Sequence, residues 1–191
     1  MKRTQIQKLT LTAIFTALVI IIQLLATFTA FFGPFSTAMA LIPIVIGAAM
    51  CGVGTGAWLG FVFGMVVLLS GGANLFLAFS VPGTIITVLA KGTACGLVAG
   101  IAYNLLKKLN RYVAVLAAAI LCPVVNTGIF LLGSAVFFLK DAPAIAEKAG
   151  STESGMALFM AFAMANFLFE LGANIVLSPV VLRLINIKIK D

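Results

Sequence analysis

The sequence predicts an all-α, polytopic membrane protein with six transmembrane helices and both termini in the cytoplasm. Three observations carry that prediction. Of its 191 residues, 63% are hydrophobic and only 9% are charged, whereas soluble domains carry about 25% charged residues. The apolar residues form long runs separated by short polar breaks. The basic residues stand at the ends of those runs, as topology signals do. The net charge of +7 is thereby accounted for without a nucleic-acid partner. The surroundings are the lipid bilayer, and residues 1–191 read as a single integral membrane domain.

The first span, about 10–31, follows Lys2, Arg3 and Lys8. Its apolar run from Leu9 to Phe32 is longer than a typical signal-peptide core, and further spans follow, so it reads as a retained helix. The second and third spans, about 36–50 and 54–69, are short and are split only by Gly52, Gly54 and Gly56. Cys51-Gly52-Val53-Gly54-Thr55-Gly56 lacks the G-x-x-x-x-G-K-[ST] pattern of a phosphate loop, and a tight inner turn fits it better. Gly60 and Gly64 add a G-x-x-x-G to span three, a spacing that suits close helix packing. The fourth span is about 83–106, the fifth about 113–139 and the sixth about 155–185. A bilayer crossing takes about 20 apolar residues, which these three supply.

Orientation follows from Lys and Arg. Nine of the twelve basic residues fall on one side under a six-span count: Lys2, Arg3, Lys8, Lys107, Lys108, Arg111, Arg183, Lys188 and Lys190. Lys140 and Lys148 fall on the other, in a segment that also holds Asp141, Glu147 and Glu153. The positive-inside rule makes the first side cytoplasmic. Three outer segments result. Phe32-Gly33-Pro34-Phe35 is a tight aromatic turn, the Ser70–Gly83 loop carries Asn74, Phe76 and Phe79, and Lys140–Ser154 is the most polar. The aromatic residues are either interface anchors or a lid over a ligand.

The twelfth basic residue, Lys91, lies inside span four, and Glu170 lies near the middle of span six. An ionisable residue at bilayer depth costs at least a few kcal/mol and marks a functional site by default. Asn166, Glu170 and Asn174 are spaced i, i+4, i+8 and share one helix face. At 1.5 Å per residue, Lys91, Glu170 and Asn126 lie roughly 24, 20 and 22 Å above the inner end of their spans. Three spans thus bring polar groups to one layer, with Thr93, Thr127, Asn166 and Asn174 close to it. An ion pair between Lys91 and Glu170 with amide bridges would explain the layer structurally. A polar substrate cavity explains the surplus of amides as well, and the two are compatible. Phe162 is the only ring in step with Asn166 and Glu170, which mildly disfavours flat heterocycles as ligands, although Phe76 and Phe79 of the outer loop could still supply stacking groups.

The chain has no His, and Cys51, Cys95 and Cys122 stand apart in apolar runs with no CxxC. No metal site, cofactor or disulfide framework follows, and the cysteines read as small packed residues. With no nucleophile–base pair, the protein is not read as an enzyme. Nothing resembles an ATP-hydrolysing motif, so active transport would draw on a partner or an ion gradient. A solitary ion-coupled carrier using Glu170 is the alternative, although six spans without a visible duplicated half argue against it. A purely structural membrane subunit is a further rival. In span one, Ala13 and Ala17 are small residues at i and i+4, which let another helix approach closely, whether from this protein or from a partner.

Several stretches together resemble the substrate-binding S components of energy-coupling factor (ECF) vitamin transporters. They are Lys8-Leu9-Thr10 leading into Ala13-x-x-x-Ala17, Leu41-Ile42-Pro43-Ile44-Val45-Ile46-Gly47-Ala48, Gly56-Ala57-Trp58-Leu59-Gly60-Phe61-Val62-Phe63-Gly64, and Cys122-Pro123-Val124-Val125-Asn126-Thr127-Gly128. The resemblance covers nearly the whole chain. It implies a multi-pass protein of a prokaryotic cell membrane that captures a small water-soluble vitamin outside. It also implies delivery inward with a transmembrane coupling subunit and two ATPase subunits, with Ala13 and Ala17 docking on the coupling subunit. The ligand site would lie between the later helices and outer loops, so the candidates are Lys91, Asn126, Thr127, Asn166, Glu170 and Asn174, with Asn74, Phe76 and Phe79 from the loop. Family members differ in their ligand contacts, so pantothenate, riboflavin and folate all stay open.

Overall fold

A computed structural model describes residues 3–29, 38–148 and 155–190, and among them every regular element is a helix. In chain order they are α1 (Arg3–Thr29), a 3-10 turn (Ala38–Ala40), α2 (Leu41–Cys51), α3 (Val53–Leu69), α4 (Asn74–Leu77), α5 (Val81–Leu106), α6 (Arg111–Phe137), α7 (Ala142–Lys148) and α8 (Gly155–Lys190). Among the described residues, four stretches are long and apolar enough to cross a membrane: Gln5–Thr27, Val81–Leu106, Arg111–Phe137 and Ala163–Ile185. The second and third expected spans are the shorter helices α2 and α3. The second begins at Leu41 rather than near residue 36. The two segments expected as irregular loops contain the short helices α4 and α7. The Phe32-Gly33-Pro34-Phe35 turn and the side chain of Phe162 lie outside the described residues.

At 11 residues, α2 is roughly 16 Å long, well short of the ~30 Å hydrocarbon core. Its position accounts for its length. Leu41, Ile44, Val45, Gly47, Ala48 and Cys51 are buried, and a helix that is apolar all round belongs in an interior. It packs against α1, α3, α5, α6 and α8, so it is a central post rather than part of the wall. Gly52, with φ of 102°, makes the one-residue break into α3; this left-handed conformation is open to Gly at little cost.

The tightest helix pair is α3 with α5, which run antiparallel with their backbones touching. Gly56, Gly60 and Gly64 on α3 are spaced i, i+4, i+8, and so are Gly92, Gly96 and Gly100 on α5. A Cβ on Gly60 would collide with the Gly92 carbonyl, and one on Gly96 with the Gly56 carbonyl. One on Gly64 would come 2.9 Å from the Val88 carbonyl. Small residues let membrane helices approach in this way, and here the contact holds α5 at a fixed depth.

Local chemistry sets where the long helices start. Ser80 accepts from the Gly83 amide at 3.2 Å and caps α5, with Pro82 in the first turn. Asn110 accepts from the amides of Tyr112 and Val113 at 2.8 and 3.3 Å and caps α6. N-terminal caps of this kind satisfy helix amides that have no partner of their own. The short 107–110 connection makes α5 and α6 antiparallel neighbours. Within α8, Pro179 cannot donate to the Ile175 carbonyl, and the Ser178 hydroxyl donates to it instead at 2.8 Å. The helix therefore passes the proline with that carbonyl satisfied, as a bilayer interior requires.

Candidate functional site

Glu170 sits on α8 with no solvent exposure. Two amides from two helices grip its carboxylate. The Asn126 side chain, on α6, donates to Oε1 at 3.2 Å and to Oε2 at 3.1 Å. Asn166, one turn earlier on α8, donates to Oε1 at 2.8 Å. Hydrogen bonds to a charged group contribute about 1.5–3 kcal/mol each, which offsets part of the burial cost of a carboxylate. Asn174 is also buried, yet its amide donates at 2.8 Å to the backbone carbonyl of Glu170. It serves its own helix rather than the carboxylate.

Lys91 reaches the same layer from α5. Glu170 is near enough to act on it electrostatically, but among the described residues Lys91 forms no hydrogen bond and no ion pair within 4.0 Å. Its ammonium lies instead against two rings, 5.4 Å from the centroid of Phe130 and 5.9 Å from that of Phe63. A cation over an aromatic face is attracted by the ring quadrupole. The layer therefore holds a carboxylate satisfied by amides and an ammonium that retains its hydrogen-bonding capacity. Because α2 is paired with α3 through Gly52, and Ile44 faces Gly96, Leu41 stands close to the level of Lys91. The polar layer lies at the N-terminal end of the central post.

Thr127 and Thr93 flank the layer and are partly buried. Asn74 is exposed at the start of α4, its side chain folded over Gly71, so the structure does not bring it to the carboxylate. Phe76 and Phe79 are partly buried in a small cluster with Phe138, Ala142 and Ile145, separate from the main core. Phe76 meets Phe130 edge-on at 5.6 Å and Phe138 at 5.3 Å, and Lys148 lies 4.8 Å from the Phe79 ring. Through Phe130 the short helix α4 is linked to Lys91.

Sequence reasoning missed Phe63 and Phe130 beside Lys91, and it missed Thr87 and Ser134, both buried. A signal existed for three of them. Thr87 precedes Lys91 by one turn, and Asn126, Phe130 and Ser134 are spaced i, i+4, i+8, so each set shares a helix face. Cys51, Cys95 and Cys122 are buried and free, packed in the main apolar core.

A second feature lies on the outside of α1. Ala13 and Ala17 are exposed and line an apolar groove of about 630 Å³ with Thr12, Thr16, Ile20 and Trp58. The floor is tied together: the Trp58 indole donates to Thr16 Oγ1 at 3.2 Å, and the Thr12 and Thr55 hydroxyls are 3.4 Å apart. These contacts join α1 to α3 and leave the two alanines facing outward.

Ionisable groups held at one buried layer of a helical membrane protein mark a functional site by default. The model of the family described as ECF transporter, substrate-specific component matches residues 7–184, and the chain belongs to that family. It is a transporter subunit and not an enzyme, with a small-molecule substrate and the ECF module as its partners. No curated protein and no solved structure matches the chain.

Proposed function

We propose that the protein is the substrate-capture subunit of an ATP-driven vitamin importer in a prokaryotic cell membrane. It forms one six-span domain with both termini cytoplasmic, α2 and α3 completing the count as short inner spans. A small water-soluble vitamin enters from outside and binds at the layer of Lys91, Asn126, Asn166 and Glu170, with Thr127 and Asn174 beside it. Asn74, Phe76 and Phe79 border the entrance. The ECF module's coupling subunit docks on Ala13 and Ala17, and its two ATPase subunits drive release inward.

The observation that carries this reading is the opposite state of the two ionisable groups. Glu170 is hydrogen-bonded by Asn126 and Asn166, while Lys91 stands among rings with no acceptor among the described residues. A pair that existed only to stabilise the fold would use the ammonium to satisfy the carboxylate. An ammonium held apart from its counter-charge suits an incoming carboxylate or phosphate, and Glu170 then orients the site through Asn126. The nine-to-two bias of basic residues supports the sidedness.

Affinity purification of the tagged protein from its own membranes tests the reading. Two ATPases and one larger membrane subunit are the expected companions, and uptake should stop when they are removed. Uptake by the protein alone, dissipated by an ionophore, would establish the solitary ion-coupled carrier instead.

A further inference from the structure

Among the described residues, three buried polar atoms at the α5–α6 seam have no hydrogen-bond partner: Thr87 Oγ1, Ser134 Oγ and Asn126 Oδ1. Their residues are 4%, 2% and 2% exposed. Buried polar groups are nearly always paired, and each exception calls for an explanation. These exceptions also stand in register. Thr87 packs on Gly133, where a Cβ would collide with its side chain, so it is level with the neighbouring Ser134. One turn further in, Lys91 is level with Phe130, and Asn126 lies one turn beyond Phe130 on the same helix face. The unpaired atoms therefore flank the ammonium from both directions along the seam, over roughly two helical turns, or about 11 Å.

Their chemistry is complementary to one kind of molecule. Among the described residues the ammonium has donors and lacks an acceptor, whereas Asn126 Oδ1 is an acceptor that lacks a donor. The two hydroxyls take either role. A ligand that satisfies all of them carries an anion at Lys91, an N–H or O–H at Asn126, and hydroxyl or amide groups towards Thr87 and Ser134. The nearby rings are already engaged: Phe130 by Lys91 and Phe76, and Phe76 by Phe138 as well. Recognition along the seam then proceeds by hydrogen bonding rather than by stacking.

We propose that Thr87 and Ser134, together with Asn126 Oδ1, form the specificity lane of the site, and that the ligand is a small acyclic carboxylic acid bearing hydroxyl or amide groups. This rests on the reading of the protein as the substrate-capture subunit. A site whose buried polar groups need partners rejects an analogue that lacks them far more strongly than an apolar pocket rejects an extra methylene.

Pantothenate, an acyclic acid with two hydroxyls and an amide, is the probe. It is titrated calorimetrically into the detergent-purified protein, with riboflavin and folate as flat-ring comparisons. The wild type should bind pantothenate in preference to both. Thr87→Val and Ser134→Ala should each weaken binding about tenfold, the scale of one neutral hydrogen bond. Their ligand-free melting temperatures should hold or rise, because each loses an unpaired buried hydroxyl. Thr87→Ser, which restores the hydroxyl, should bind as the wild type does. Should Thr87→Val fail to fold, Thr87→Ala carries the same expectation. Unchanged affinity in well-folded Thr87→Val and Ser134→Ala overturns the lane. Binding of riboflavin or folate in place of pantothenate, or of none of the three, overturns the ligand class. Co-purification of the coupling subunit and ATPases in that last case leaves the capture-subunit reading standing, and their absence removes it too.

Discussion

Asn126 donates its side-chain amide to both carboxylate oxygens of Glu170 across the α6–α8 interface, at 3.2 and 3.1 Å. This contact joins two helices more than forty residues apart in sequence and fixes a fully buried carboxylate. Asn126→Leu should therefore destabilise the protein by about 1.5–3 kcal/mol, the scale of a hydrogen bond to a charged group. Glu170→Leu alone should also be destabilising, since it takes the carboxylate acceptor away from the Asn126 and Asn166 amides. The double mutant should lose less than the sum, because neither partner is then left unpaired. Thermal unfolding in detergent reads all three, and strict additivity would show that the contact contributes no coupling.

The α3–α5 glycine contact leads to a prediction with a built-in control. Gly60→Ala places a methyl group on the Gly92 carbonyl, where backbone must move, so a loss of at least the 1–3 kcal/mol typical of overpacking is expected. Gly172, on α8, has nothing within 4 Å of the position its Cβ would take. Gly172→Ala should stabilise by roughly 0.5–1 kcal/mol through helix propensity alone. Equal melting temperatures for the two variants would refute close α3–α5 packing.

These contacts mark how far the sequence could be read. The long apolar runs and the common level of Asn126 and Glu170 were legible, because the rise per residue is fixed by the helix. The G-x-x-x-G of Gly60 and Gly64 was visible, but not its mate, since the Gly92-Gly96-Gly100 spacing gains meaning only once α3 and α5 are seen to be antiparallel neighbours. The central place of α2 was hidden for a related reason: an apolar run of 11 residues reads the same whether lipid or protein surrounds it. Asn174 shows the limit within the site. Its spacing put it on the face of Glu170, but the short side chain found the i−4 carbonyl first.

Sidedness can be settled by labelling. In a Cys-free background, Ala144→Cys and Leu109→Cys each place a thiol at an exposed position on opposite sides of the proposed topology. An impermeant maleimide added to intact cells should react with the first alone. Reaction at position 109 alone would reverse the orientation.

Docking of the coupling subunit is addressed at Ala13 and Ala17, both exposed on the groove beside Trp58. Replacing both with Trp fills the groove without disturbing the Thr16–Trp58 bond on its floor. The double variant should lose co-purification with the ECF module and lose uptake, while ligand binding by the isolated protein is unchanged. Normal co-purification would remove this face from the interface.

Lys91 offers the sharpest separation of a binding role from a structural one. Lys91→Met removes the ammonium, keeps most of the stem and leaves Phe63 and Phe130 a thioether to pack on. Truncating one member of a buried charged contact typically costs about 2–5 kcal/mol. At about 1.4 kcal/mol per decade, that is a thirty- to several-thousand-fold loss of affinity for an anionic ligand. The fold should tolerate the change, because no hydrogen bond or ion pair among the described residues is lost with the ammonium. Glu170→Gln acts on the other side of the contact. If Glu170 orients the site, its effect on affinity is small or favourable, since a negative charge near the bound anion disappears; if it accepts directly from the ligand, the loss approaches that of Lys91→Met. A purely structural pair gives a third pattern, in which each single variant melts lower, the double variant recovers part of the loss, and affinity does not move. Ligand titration and thermal unfolding on the three variants separate these cases, and wild-type affinity in a well-folded Lys91→Met protein would exclude Lys91 from the site.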